Sequence, residues 1–130
     1  MTLSTALLCM ALNVYKEARN QPIAGQYAVA QVTMNRAEGD PARVCAEVTK
    51  PHQFSWTTVL RKNQQGQWVA PAPKELRAWN VALTVARLTL WGYGIDRAQG
   101  AKFYHAHYVS PYWRHKLTLV TVIGDHHFYK

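Results

Sequence analysis

Glu17 is the acid whose place in the sequence is unusual. It follows Met10, Asn13 and Val14 at spacings of three and four, so it continues an apolar helical stripe and sets a carboxyl at the edge of a core. A carboxylic acid whose pKa is raised by an apolar setting can donate a proton to a poor alkoxide leaving group near neutral pH. Breaking a glycosidic bond needs that step. Periodicity alone favours a plainer reading, a solvated glutamate paired with Lys16 or Arg19, because most glutamates are solvated.

The histidines form the second group. Five of the six stand at His105, His107, His115, His126 and His127, and the other is His52. On a strand, His105 and His107 point the same way, and a further histidine across a hairpin could complete a zinc site. No cysteine or carboxylate spacing fills out a known zinc signature. The expectation is therefore rings that stack or hydrogen-bond around a cleft, with no metal and no cofactor.

Positioning these groups falls to helices first and strands later. The first helix is expected over Ser4 to Ala18 with Ser4 as N-cap, and Asn20-Gln21-Pro22 breaks it. A second runs from Ile23 or Ala24 to Arg36, with Tyr27, Ala28, Val32 and Met34 apolar, and ends at Gly39-Asp40-Pro41. Residues 41–74 read as irregular, with short helical or extended pieces and a turn or exposed loop at Gln64-Gln65-Gly66-Gln67. A third helix has Pro73 in its first turn, an apolar face from Leu76, Trp79, Leu83, Val85, Ala86, Leu88 and Leu90, and Gly92 or Gly94 as its stop. Lys102 to Tyr108 has strand composition, as does Leu117 to Ile123. Gly124-Asp125 fits a two-residue turn into a last strand, His126 to Tyr129. The pattern is an α+β domain, helices followed by a small antiparallel sheet.

Composition narrows the partners. The 130 residues suit one domain, 1–130, with 48% hydrophobic and 17% charged residues. The 15 Lys and Arg against 7 Asp and Glu leave a formal net charge of +8, which draws the chain toward polyanions. The basic residues are spread out, and no run reads as a nucleic-acid arm. Five Trp and seven Tyr are many for this length; some must be core, but such rings also suit sugar stacking. Leu3 to Val14 lacks the charged start of a signal peptide and is too short to span a bilayer. The expectation is a monomer, made in the cytoplasm, with no stable membrane insertion. Cys9 and Cys45 do not make a disulfide scaffold, and Cys9 reads as a buried free thiol.

Four ordered segments carry a resemblance. Asn13-Val14-Tyr15-Lys16-Glu17-Ala18-Arg19-Asn20-Gln21-Pro22 with Gly25 to Arg36 is the first. Val44 to Val48 with Pro51-His52-Gln53-Phe54-Ser55-Trp56 is the second. Tyr104-His105-Ala106-His107-Tyr108-Val109-Ser110-Pro111-Tyr112-Trp113 and Ile123-Gly124-Asp125-His126-His127-Phe128-Tyr129 follow. Together they resemble the SleB/CwlJ cell wall hydrolase family, which includes spore cortex-lytic enzymes and phage endolysins. The chain departs from that pattern at Lys16, where a small residue is usual, and at Asp125, where Asn is usual.

The resemblance implies a lysozyme-like, transglycosylase-like fold and cleavage of the bond between N-acetylmuramic acid and N-acetylglucosamine, with Glu17 as general acid/base. The partner it implies is the peptidoglycan glycan strand, reached in the host periplasm if the protein is a phage endolysin. Gln53, Phe54, Ser55 and Trp56 are expected on one wall of the groove. Tyr104, His105, His107, Tyr108, Tyr112 and His126 are expected on the other, and Thr33 is expected to meet a bound acetamide. A lytic transglycosylase needs one acid. A muramidase would recruit a second carboxylate, for which Asp125, Asp40 and Asp96 are open. A zinc wall peptidase and a non-catalytic wall-binding module are the remaining alternatives.

Overall fold

The computed structural model describes residues 1–51, 53–93 and 96–130. Helix α1 covers Ala6–Ala18, α2 Ile23–Arg36, α3 Val44–Val48, and α4 Leu76–Leu90. Between α3 and α4 lies a short hairpin, β1 (Arg61–Lys62) with β2 (Trp68–Val69). The chain ends in β3 (Phe103–Ala106), β4 (Leu119–Ile123) and β5 (His126–Tyr129). These form an antiparallel sheet in the order β3-β5-β4. The α+β class and the order of helices before sheet are as the sequence implies.

Burial explains the helices. Cys9, Met10, Leu12 and Val14 of α1 are fully buried, and α1 packs against both α2 and α4. Val29 and Val32 of α2, with Val85 and Ala86 of α4, complete that core. Each such side chain contributes about 1.5–3 kcal/mol on leaving water. Phe128 of β5, also fully buried, joins the sheet to it.

Several expectations need correction. The N-cap of α1 is Thr5, whose hydroxyl accepts from the Leu8 N–H at 3.2 Å, so Ser4 stands outside the helix. The helix α4 begins at Leu76, past Pro73, and Leu76 is exposed rather than part of the apolar face. Gly92, at φ +79°, follows its C-cap, and the Tyr93 N–H reaches back to the Leu88 carbonyl. Gly94, the other candidate stop, lies outside the described residues. Cys9 is not a free thiol: it is bonded to Cys45, joining α1 to α3 across 36 positions. The two cysteines stand on facing helices, which sequence spacing does not reveal.

Two sets of polar contacts fasten the sheet to the helices. At one end, Asn35 Nδ2 donates to the Ala101 carbonyl at 2.9 Å and Arg36 Nε donates to the Lys102 carbonyl, fixing the lead into β3. At the other, Gln21 Oε1 accepts from the Asp125 N–H at 2.9 Å and Gln21 Nε2 donates to Asp125 Oδ2 at 3.0 Å. That clasp needs Gly124. At φ +56° the residue is left-handed, and a Cβ there would run into Gln21 Oε1 and meet Pro22 Cδ at 2.9 Å.

Candidate active site

Where α1 ends, the sheet and the α3–α4 connection leave a cleft of about 750 Å³. The last turn of α1 supplies Lys16 and Glu17, with Arg19 and Asn20 just beyond. The segment after α3 supplies Gln53, Phe54 and Ser55. Glu75 and Ala78 come from the start of α4. Tyr104, His105 and Ala106 come from β3, Tyr108 and Val109 from the turn after it, and His126 from β5.

Glu17 is half-buried at the inner edge of this cleft. Burial raises its pKa above the ordinary glutamate value, and a hydrogen bond from the Tyr104 hydroxyl pulls it partly back. That bond is 3.3 Å to Oε1. The last turn of a helix presents its negative dipole end, which disfavours a carboxylate and acts in the same upward direction. Desolvation outweighs the single hydrogen bond, so the proton is held to higher pH than on a solvated glutamate. The plainer pairing with Arg19 is not what the structure has, since Arg19 forms its ion pair with Glu75. Lys16 also lines the cleft but forms no ion pair with Glu17.

The groups behind Glu17 hold it there. Tyr104 packs near Phe54 with ring centroids 6.2 Å apart, against His126 edge-on at 5.3 Å, and beside Phe128 at 5.7 Å. Its own burial, followed by the charge of Glu17, keeps the phenol well above the ordinary tyrosine range, so Tyr104 remains a donor. Asn13, fully buried one turn before Glu17, accepts from Trp56 Nε1 at 2.9 Å through Oδ1. Trp56 thus fixes Asn13 behind the cleft, and Tyr104 separately reaches Glu17.

The histidines divide by environment. His105 Nδ1 lies 2.8 Å from the Ala106 carbonyl, which can only accept, so Nδ1 carries the hydrogen. Its Nε2 then accepts from the Tyr129 hydroxyl at 2.9 Å. Both nitrogens are committed to protein bonds, which leaves no lone pair for zinc. Burial lowers the pKa of His126, which is neutral in a cleft at neutral pH. His107 does not share a face with His105, because β3 ends at Ala106. His107 turns outward to stand 3.7 Å from Asp125.

Of the residues expected in the groove, Glu17, Gln53, Phe54, Ser55, Tyr104, His105, Tyr108 and His126 come together. Thr33, Trp56, His107 and Tyr112 do not line it. Thr33 is buried inside α2, and Trp56 bonds to the buried Asn13 behind the cleft. Tyr112 is 78% exposed on a separate turn. His52 lies outside the described residues. Among the three aspartates, Asp40 caps the Ala42 N–H, Asp96 caps Ala98 and Gly100, and Asp125 holds Gln21. None lines the cleft. Sequence reasoning missed Glu75, the other carboxylate among the described lining residues. The Tyr15 hydroxyl, accepting from the Glu75 N–H at 3.1 Å, fixes where that residue sits. No sequence signal links Glu75 to Arg19, 56 positions away.

A helical body capped by a small sheet, with a desolvated carboxylic acid at the edge of an aromatic cleft, defines an architecture suited to acid-assisted bond cleavage. Residues 20–129 match the cell wall hydrolase family, and the chain belongs to it. That match begins three residues past Glu17. The catalytic domain of the germination-specific lytic transglycosylase SleB from Bacillus anthracis superposes with a TM-score of 0.73 at 26% identity. The alignment covers 98% of this chain and 95% of that one. The catalytic domain of the Bacillus cereus SleB protein gives a TM-score of 0.67 at 26% identity, covering 96% and 89%. No curated protein is significantly similar in sequence.

Proposed function

We propose that this protein cleaves peptidoglycan between N-acetylmuramic acid and N-acetylglucosamine as a lytic transglycosylase, with Glu17 as general acid and then general base. The observation that carries the reading is the raised pKa of a cleft-lining Glu17 that receives a hydrogen bond from Tyr104. The likeness to a lytic transglycosylase domain over nearly the whole chain supports it.

In this reading, protonated Glu17 gives its proton to the glycosidic oxygen as the bond to the muramic acid C1 breaks. The N-acetylglucosamine leaves with a free hydroxyl. The muramic acid acetamide supports the positive charge at C1. Glu17, now a carboxylate steadied by the Tyr104 hydroxyl, takes the proton from the 6-hydroxyl of the same sugar as that oxygen bonds to C1. A 1,6-anhydro ring closes, no water is consumed, and Glu17 ends protonated. His126, neutral by burial, adds no competing charge.

We assign this work to the wall outside the cytoplasm, as for a phage endolysin. The Cys9–Cys45 bridge supports an oxidising compartment.

The test is clearing of outer-membrane-stripped cell walls, followed by mass spectrometry of the released muropeptides. Anhydro ends are expected, and Glu17→Gln should not clear the walls. Equal clearing by Glu17→Gln would overturn the catalytic assignment. Reducing ends would instead favour hydrolysis, with Glu75 as the second cleft carboxylate.

A further inference from the structure

Next to the cleft, and sharing Gln53 with it, is a smaller pocket of about 210 Å³ lined by Arg36, Glu47, Lys50, Lys102 and Phe103. Three cations face one carboxylate there. Glu47 is engaged by Lys50, with Nζ 3.4 Å from Oε2. Arg36 is in a different position. Its Nε donates to the Lys102 carbonyl, and its guanidinium lies 5.0 Å from the Phe103 ring centroid and 6.0 Å from that of Phe54. Its Nη1 is closed off from solvent and has no hydrogen-bond partner among the described residues. Desolvation lowers the Arg36 pKa, against partial support from Tyr104 and Glu47. A partly desolvated guanidinium is costly, and an anion held in the pocket it lines would offset its charge.

We propose that this pocket binds a carboxylate of the peptide stem carried by the muramic acid in the adjacent cleft. The inference rests on the glycan-cleaving reading and adds a substrate feature to it. Arg36 supplies a positive charge fixed in place by its bond to the Lys102 carbonyl, and Lys50 and Lys102 add charge around it, which together suit a carboxylate. Gln53, common to both pockets, sets them side by side, so one muramic acid unit can offer its sugar to Glu17 and its stem to Arg36.

Binding is measured with the Glu17→Gln protein, which frees the readout from turnover. The ligands are soluble peptide-bearing glycan strands whose stem carboxylates are either free or converted to carboxamides. At about 0.15 M salt, long-range attraction from the net charge is screened beyond roughly 8 Å. Free carboxylates should bind about tenfold more tightly. Lys50→Gln with Lys102→Gln should collapse that preference, as should Arg36→Gln if it folds. The exposed lysine pair keeps the test open should Arg36→Gln fail to fold, since Arg36 also ties α2 to the sheet. Arg61→Gln with Lys62→Gln, the same charge removed from β1, should keep the preference. Equal affinity for the two strands, or a preference that survives loss of Lys50 and Lys102, overturns the pocket. Cleavage of peptide-free strands by the wild type reports on the cleft alone, so the two readings fail separately.

Discussion

The two walls of the cleft use burial to opposite electrical ends. On the helical wall, desolvation raises Glu17 and keeps a proton on a carboxyl. On the sheet wall, desolvation lowers His126 and keeps a proton off an imidazole. Both groups are pushed toward neutrality, yet only the first becomes a better acid at neutral pH. A dry wall has no preferred charge sign of its own. The residue type placed there decides whether it becomes a donor or a bystander.

Replacing the acid breaks that comparison most sharply. Glu17→Gln should lower turnover by about 10²- to 10⁴-fold, measured as wall clearing. Its effect on stability has the opposite sign. Because the folded pKa is raised, the native state binds more protons than the unfolded chain, and stability is lost as pH rises from about 4.3 through the folded pKa. Glu17→Gln removes that loss. It should match the wild-type melting temperature in acid and exceed it at neutral pH. A variant equally stable relative to wild type at every pH would show that Glu17 is not held in a desolvated site.

The helical wall also depends on a covalent link. Breaking the Cys9–Cys45 bridge opens a loop spanning 36 positions, and the chain-entropy treatment gives a loss of about 3–4 kcal/mol. Reductant added to the wild type, and Cys9→Ala with Cys45→Ala, should lower the melting temperature alike. No response to reductant would return both residues to free thiols.

Much of the helical wall is legible in the sequence, and the sheet wall less so. The stripe Met10, Asn13, Val14 and Glu17 follows from local periodicity, and burial through the first three confirms it. Helix ends depend on which hydroxyl meets a free N–H, so Thr5 rather than Ser4 takes the cap. The strand carrying the histidines stops at Ala106 because pairing with β5 runs out at His126, and His107 is released to the outside. Strand alternation cannot foresee that stop. The Cys9–Cys45 bridge, the Arg19–Glu75 pair and the seat of Arg36 beside Lys102 join residues that periodicity treats as unrelated. Family-like segments brought Gln53, Phe54, Ser55, Tyr104 and His126 to the groove. The same segments also contain Trp56 and Tyr112, which do not line it.

A smaller change tests how the two walls communicate. Tyr104→Phe keeps the ring among Phe54, His126 and Phe128 but removes the hydroxyl that favours ionised Glu17. The free-enzyme pKa of Glu17 should rise further. The alkaline fall in kcat/KM, which reports ionisation of the acid, should then move to higher pH by up to about one unit. Turnover should also drop, since the carboxylate formed after proton transfer loses its donor. A limb that stays in place would mean that another group sets it.

Asp125 should matter least. It is exposed, it lies outside the cleft lining, and its contacts are with Gln21 and His107. In Asp125→Asn the side-chain carbonyl can still accept from Gln21 Nε2, and the backbone N–H still reaches Gln21 Oε1. Only the exposed charge facing His107 is lost, and such pairs contribute about 0–1 kcal/mol. The melting temperature should therefore move little. The ratio of anhydro to reducing muropeptide ends should not move at all, because a carboxylate at the outer turn of the β4–β5 hairpin has no water to activate at C1. If Asp125→Asn changed that ratio, the hairpin end would have to reach the cleft during turnover, and the one-acid mechanism on Glu17 would fail.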